Sequence, residues 1–133
     1  MKTLYLSGLA ILFCLQLETA FAYGSSSSSS SCKKPSFSEF KPAANESLQS
    51  FREFSFVASS NTSVNSIEVS ISAGSTKEHF TAKQLEITEQ SSGRLKVKGK
   101  PSNPFQPGFV RINVKAHSKP GCNHSDGVLI RVQ

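Results

Sequence analysis

The sequence predicts an all-β protein, an antiparallel two-sheet sandwich of about seven short strands closed by one disulfide. Three observations carry this expectation. Short runs alternate apolar and polar residues with the period of a strand that has one dry face and one wet face. Glycine, proline and asparagine clusters punctuate those runs at regular spacing, and no stretch beyond the first 22 residues repeats with a useful helical period. Two cysteines, Cys32 and Cys122, remain in a chain marked for export.

The export mark is the first 22 residues of the 133-residue chain. Lys2 supplies a positive start, Leu4 to Leu17 is apolar, and Ala20-Phe21-Ala22 has the small residues that signal peptidase requires. The apolar part is too short to span a bilayer comfortably, so no transmembrane anchor is expected after processing. Loss of residues 1–22 removes Lys2 and Glu18, which cancel, and leaves the net charge at +6. The tract 23–31 is expected to be a serine-rich flexible tether, because Gly24 to Ser31 has no side chain worth burying. Residues 32–133 then form one domain, secreted or periplasmic.

Within that domain the strands follow in order. Pro35 to Pro42 is an extended lead-in, with Phe37 and Phe40 plugging the edge of a core and a proline at each end of an edge strand. Phe54, Phe56 and Ala58 share one face of the next run. After the turn cluster Asn61 to Asn65 comes the cleanest alternation in the chain. Ile67, Val69 and Ile71 point in, while Glu68, Ser70 and Ser72 point out. Ala73-Gly74-Ser75 turns the chain, and Phe80 to Thr88 is expected as a single strand with Leu85 and Ile87 on one side. Ser91-Ser92-Gly93 signals a hairpin, after which Leu95 and Val97 return to the core. Pro101 to Gly108 is a corner. It leads to a terminal hairpin in which Val110, Ile112, Val114 and Ala116 alternate with Arg111, Asn113 and Lys115, and Val128 to Val132 forms the return strand.

This pattern is that of an immunoglobulin-like sandwich, with a small closed barrel as the alternative. A bond between Cys32 and Cys122 would tie the domain's start to its last turn. Neither cysteine has another near it in sequence, which argues for a structural bridge over a metal or reactive thiol. Asn61-Thr-Ser-Val-Asn-Ser-Ile-Glu-Val-Ser-Ile-Ser-Ala-Gly resembles the second-strand region of bacterial immunoglobulin-like domains. Pro104-Phe-Gln-Pro-Gly-Phe-Val-Arg-Ile-Asn-Val-Lys-Ala-His-Ser-Lys-Pro-Gly is similar to their penultimate strand. The resemblance implies a small secreted protein with a non-enzymatic role in adhesion, recognition or spacing, and it carries over no binding residues.

Catalytic and cofactor motifs are absent. No nucleophile elbow, phosphate-binding loop or zinc-protease helix occurs, and no cofactor is expected. Glu78, Glu86 and Glu89 fall at turns or solvent-facing positions, which suits solvated carboxylates better than a glycosidase pair. The charge is more informative. Arg94, Lys96, Lys98 and Lys100 recur at every second residue, and Arg111 and Lys115 do likewise on the terminal strand. Were these strands neighbours, one sheet would carry a continuous basic face suited to anionic polymers, without stacking aromatics on it. The same lysines also serve solubility and edge protection. The partner implied is an anionic polysaccharide or another cell-surface protein. A second function class is metal binding, because His117 and His124 flank Cys122 with Asp126 close by. An inert spacer is the third. Asn45, Asn61 and Asn123 match the N-glycosylation pattern.

Overall fold

The computed structural model describes residues 32–133. The expected signal peptide (1–22) and serine tether (23–31) lie outside the described residues. Among the described residues, nine strands build two sheets: β1 (Phe37–Lys41), β2 (Ser47–Leu48), β3 (Phe54–Ala58), β4 (Glu68–Ala73), β5 (Thr76–Phe80), β6 (Glu86–Glu89), β7 (Leu95–Gly99), β8 (Gly108–His117) and β9 (Asn123–Val132). Sheet A has the order β1-β3-β7-β6 and sheet B the order β2-β9-β8-β4-β5. All pairs are antiparallel except β2 with β9, which run parallel over two residues. Among the described residues, no helix is long and apolar enough to cross a membrane.

Alternation decides which side of each strand is dry. Ile67, Val69 and Ile71 have no exposed surface, and Val110, Ile112, Val114 and Ala116 are buried across from them. From sheet A, Phe54, Phe56, Ala58, Leu95 and Val97 close the core from the other side. Its densest part is aromatic. Phe56 meets Phe37 edge-on at 5.8 Å and stacks on Phe40 at 5.6 Å, and Phe54 meets Phe80 edge-on at 5.3 Å. The lead-in forms the edge strand of sheet A, as its flanking prolines predict.

The return strand of the terminal hairpin begins at Asn123 rather than Val128, and the chain departs from expectation at two further places. The single strand expected over Phe80 to Thr88 is broken by a 3-10 turn, Ala82–Gln84. Gln84 causes the break, because its Oε1 accepts from the Thr81 amide (2.8 Å) and the Thr81 hydroxyl (3.2 Å). This local bonding takes the place of a ladder partner, and the chain uses the turn to cross from sheet B to sheet A. The second addition is β2, whose two residues seat against the end of β9.

The Cys32–Cys122 disulfide is present, with Cys122 buried. Around it, the carbonyl of Lys33 accepts from Ser118 Oγ (2.8 Å) and Asn61 Nδ2 (3.0 Å), so the lead-in is held by hydrogen bonds as well as by sulfur. The corner between β7 and β8 is clamped by Glu78, whose carboxylate accepts from the Ser102 amide (2.9 Å) and hydroxyl (2.6 Å).

Gly127 has no room for a side chain. It sits opposite Asn113, and a Cβ there would overlap the Ile112 carbonyl oxygen. Backbone cannot swing aside as a side chain does. Gly127→Ala is therefore expected to cost about 1–3 kcal/mol by overpacking, read as a lower denaturant midpoint with an unchanged slope.

Candidate functional site

The six cations expected to share one surface divide between the two sheets. β7 pairs with β3 and β6 in sheet A, and β8 pairs with β9 and β4 in sheet B. Lys96 and Lys98 therefore leave the outer face of sheet A, opposite the buried Leu95 and Val97. Arg111 and Lys115 leave the outer face of sheet B. These faces look in opposite directions, and the continuous basic field is corrected to two separate ones. The cause is the 100–107 corner, which carries the chain from one sheet to the other. Arg94 precedes β7 and is engaged by Glu39 at 3.2 Å, and Lys100 lies past the strand's end.

On sheet B the register gathers further cations around Arg111 and Lys115. Ser72 pairs with both Lys77 and Arg111, and Arg111 with Leu129. The next row toward the corner holds Phe109 opposite Arg131, and two rows the other way Lys115 pairs with Glu68. Lys77, Arg111, Lys115 and Arg131 thus share one surface with, among the described residues, a single carboxylate, Glu68, which lies 3.4 Å from His79 Nε2. Ser70, Ser72 and Gly127 keep its centre low. Among the described residues none of these four cations has a carboxylate within 4.0 Å. Adjacent strands lie about 4.8 Å apart and alternate residues about 6.8 Å, which sets the cations on the scale of repeating charges in a polyanion.

An aromatic ring completes this face. Phe109 is 63% exposed, and the Arg131 guanidinium sits 5.7 Å from its ring centroid. The expectation that no aromatic shares the basic face is corrected here. Phe109 has the same parity as Arg111 and Lys115, so the signal lay in the alternation itself. Lys77 and Arg131 had no such signal, because only the pairing of β5 and β9 brings them to this surface.

The histidines do not converge. His117 pairs with Asn123, and His124 pairs with Ala116. Ala116 faces the core, so His124 is on the core-facing side of sheet B, where its ring stacks on Phe37 at 5.9 Å. His117 is on the opposite face. Its backbone is locked to Ser66, whose Oγ accepts the His117 amide (3.0 Å) and donates to the His117 carbonyl (3.1 Å). The expected pairing of His117 with His124 at one metal is thereby corrected. Asp126, two residues along the strand, shares the side of His124, and its Oδ1 accepts from the Gly127 amide at 2.7 Å. Among the described residues, no three His, Cys, Asp or Glu side chains are placed to hold a metal ion. Of the three glycosylation-pattern asparagines, Asn61 is half-buried and spends its amide on the Lys33 carbonyl, whereas Asn45 and Asn123 are exposed.

No family model and no curated protein matches the chain. Among solved structures, the chain is similar to PcoC, a methionine-rich copper resistance protein from Escherichia coli. The TM-score is 0.51 at 12% identity, over 76% of this chain and 100% of that one. The selenomethionine form of PcoC matches at a TM-score of 0.45, with 11% identity over 74% of this chain and 99% of that one. The titin M3 domain matches at 0.38, with 14% identity over 75% and 97%. What the chain has in common with PcoC at this identity is the fold, a two-sheet β-sandwich.

Proposed function

We propose that this is an exported, non-enzymatic binding domain whose five-stranded sheet meets an anionic extracellular polymer, an acidic polysaccharide by preference. The observation that carries the reading is the exposed Phe109 set among Lys77, Arg111, Lys115 and Arg131, with only Glu68 among the described residues to oppose them. Guanidinium forks engage carboxylate or sulfate groups in pairs, and the bare ring supplies an apolar platform for a sugar face. The leader read in residues 1–22 and the disulfide both support export.

Retention on immobilised heparin is the test. Arg111→Glu with Lys115→Glu is expected to weaken binding at low salt roughly tenfold or more, since each cation–anion contact is worth about 1 kcal/mol in water. The same reversal at Lys96 and Lys98, on the other sheet, serves as control and is expected to change retention far less. Equal losses from both pairs would replace this site with a diffuse charge effect. Salt-insensitive elution of the parent protein would end the reading and leave the spacer role.

Metal binding is the second reading, and the likeness to PcoC bears on this one rather than the first. Met1 is the chain's only methionine, so a thioether copper site has no residues here. The donors left on one face are His124 and Asp126, an imidazole and a carboxylate suited to Cu(II) or Zn(II). Titration with either ion is expected to shift the His124 and Asp126 resonances while leaving His117 in place. No perturbation at equimolar metal removes this reading.

A further inference from the structure

A second candidate site lies where the chain passes from β1 to β2, and it owes nothing to the polymer-binding reading. Where β1 ends, the chain leaves sheet A and crosses to β2 in sheet B, and the departure opens a groove of about 810 Å³. Its apolar lining comes from Phe40, Leu48, Phe51 and Phe54. Phe51 and Phe54 belong to the buried core, while Phe40 and Leu48 pack against that core with part of their surface left uncovered. The uncovered part faces a space within the range of small-molecule sites, about 300–1,000 Å³.

The polar side of the groove is organised by register. Lys41 of β1 pairs with Ser55 of β3, and Ser55 pairs with Lys98 of β7. Two ammonium groups thus flank one hydroxyl in a single row across three strands, and all three residues line the groove. Lys96 and Arg52 also line it. The carboxylates there are Glu46 and Glu53, and Glu46 already accepts the Ala43 amide at 2.8 Å. Among the described residues, Lys41, Lys96, Lys98 and Arg52 make no ion pair. Four cations beside two carboxylates, above an aromatic and aliphatic lining, suit a ligand with one negative head and an apolar body.

We infer that this groove binds a long-chain carboxylate, its head between Lys41 and Lys98 over the Ser55 hydroxyl and its chain against Phe40, Leu48 and Phe51. The ammonium groups and the hydroxyl donate to the carboxylate oxygens, the charge-assisted kind of hydrogen bond that favours an ionised head. Burial of methylenes against Phe40 and Leu48 supplies the rest.

Laurate, dodecanol and acetate separate the two contributions. Binding is followed by ¹⁵N-labelled amide shifts, because the chain has no tryptophan. Laurate is expected to shift the amides of Lys41, Ser55 and Lys98 and to bind about tenfold tighter than dodecanol. Acetate, lacking the chain, is expected to produce no saturable shift below tens of millimolar. Lys41→Gln with Lys98→Gln changes only exposed side chains and is expected to bring laurate down to the level of dodecanol. Equal affinity of the parent for laurate and dodecanol, or unchanged laurate affinity in the double variant, would overturn the inference. Arg111→Glu with Lys115→Glu, which tests the polymer face, is expected to leave laurate affinity unchanged. Loss of laurate binding in that variant would also refute an independent site.

Discussion

Opening the Cys32–Cys122 bond is expected to lower stability by about 4–5 kcal/mol, the chain-entropy value for a ring of about 90 residues. For a domain of this size that is a fall in Tm of roughly 15–30 °C. The bond acts on the unfolded chain, which it confines from the lead-in to the β8–β9 turn. In the folded state the same ends are already held by the bonds from Ser118 and Asn61 to the Lys33 carbonyl. Those contacts should keep the native arrangement when the sulfurs part, so the reduced protein should have a native spectrum and a lower midpoint. Cys32→Ser is the cleaner probe, because Cys32 is half-buried whereas Cys122 is enclosed and its truncation would add a packing loss. Thermal melts of the oxidised protein, the reduced protein and Cys32→Ser check the expectation. A difference below about 1 kcal/mol would mean that the unfolded chain is compact enough to feel little of the ring.

Phe56→Ala is the second large effect, expected at about 3–5 kcal/mol. Phe56 has no exposed surface, and its ring lies between Phe37 and Phe40 of the edge strand. Truncation forfeits the transfer energy of the ring and leaves a void between β1 and β3. β1 is poorly placed to collapse into that void. Its pairing with β3 is already broken by a bulge between Ser38 and Lys41, where Glu39 takes a φ of 53°. The loss is therefore expected near the top of its range, with amide exchange of β1 rising before that of β8. A value below about 2 kcal/mol would show that the edge strand repacks freely. Equal acceleration in β1 and β8 would show instead that the domain opens only as a whole.

The core was the most legible part of the chain, for a physical reason. Burial on one face of a half-dry strand writes period two directly into the residues, as at Ile67, Val69 and Ile71. The broken strand was legible too, in retrospect. Phe80 and Leu85 are both buried but differ in parity, which no single straight strand permits. Strand neighbours were not legible. Nothing in the alternation of Lys96 or Arg111 says which sheet each joins, because that is decided by a corner and by packing far along the chain. The histidines show how little shifts such an outcome. His117 and His124 lie on opposite faces because His117 pairs with Asn123, and a hairpin one residue shorter or longer would have put them on the same face.

The disulfide also determines how the domain would bear a mechanical load. A pull applied at residue 32 passes through sulfur to Cys122 and leaves everything between them slack. Of the domain, only Asn123–Gln133 lies outside the covalent ring. Tension between residue 32 and the C-terminus would therefore fall on β9 alone, held along its length by β8 and at its end by β2. An oxidised molecule under force would extend by little more than that one strand.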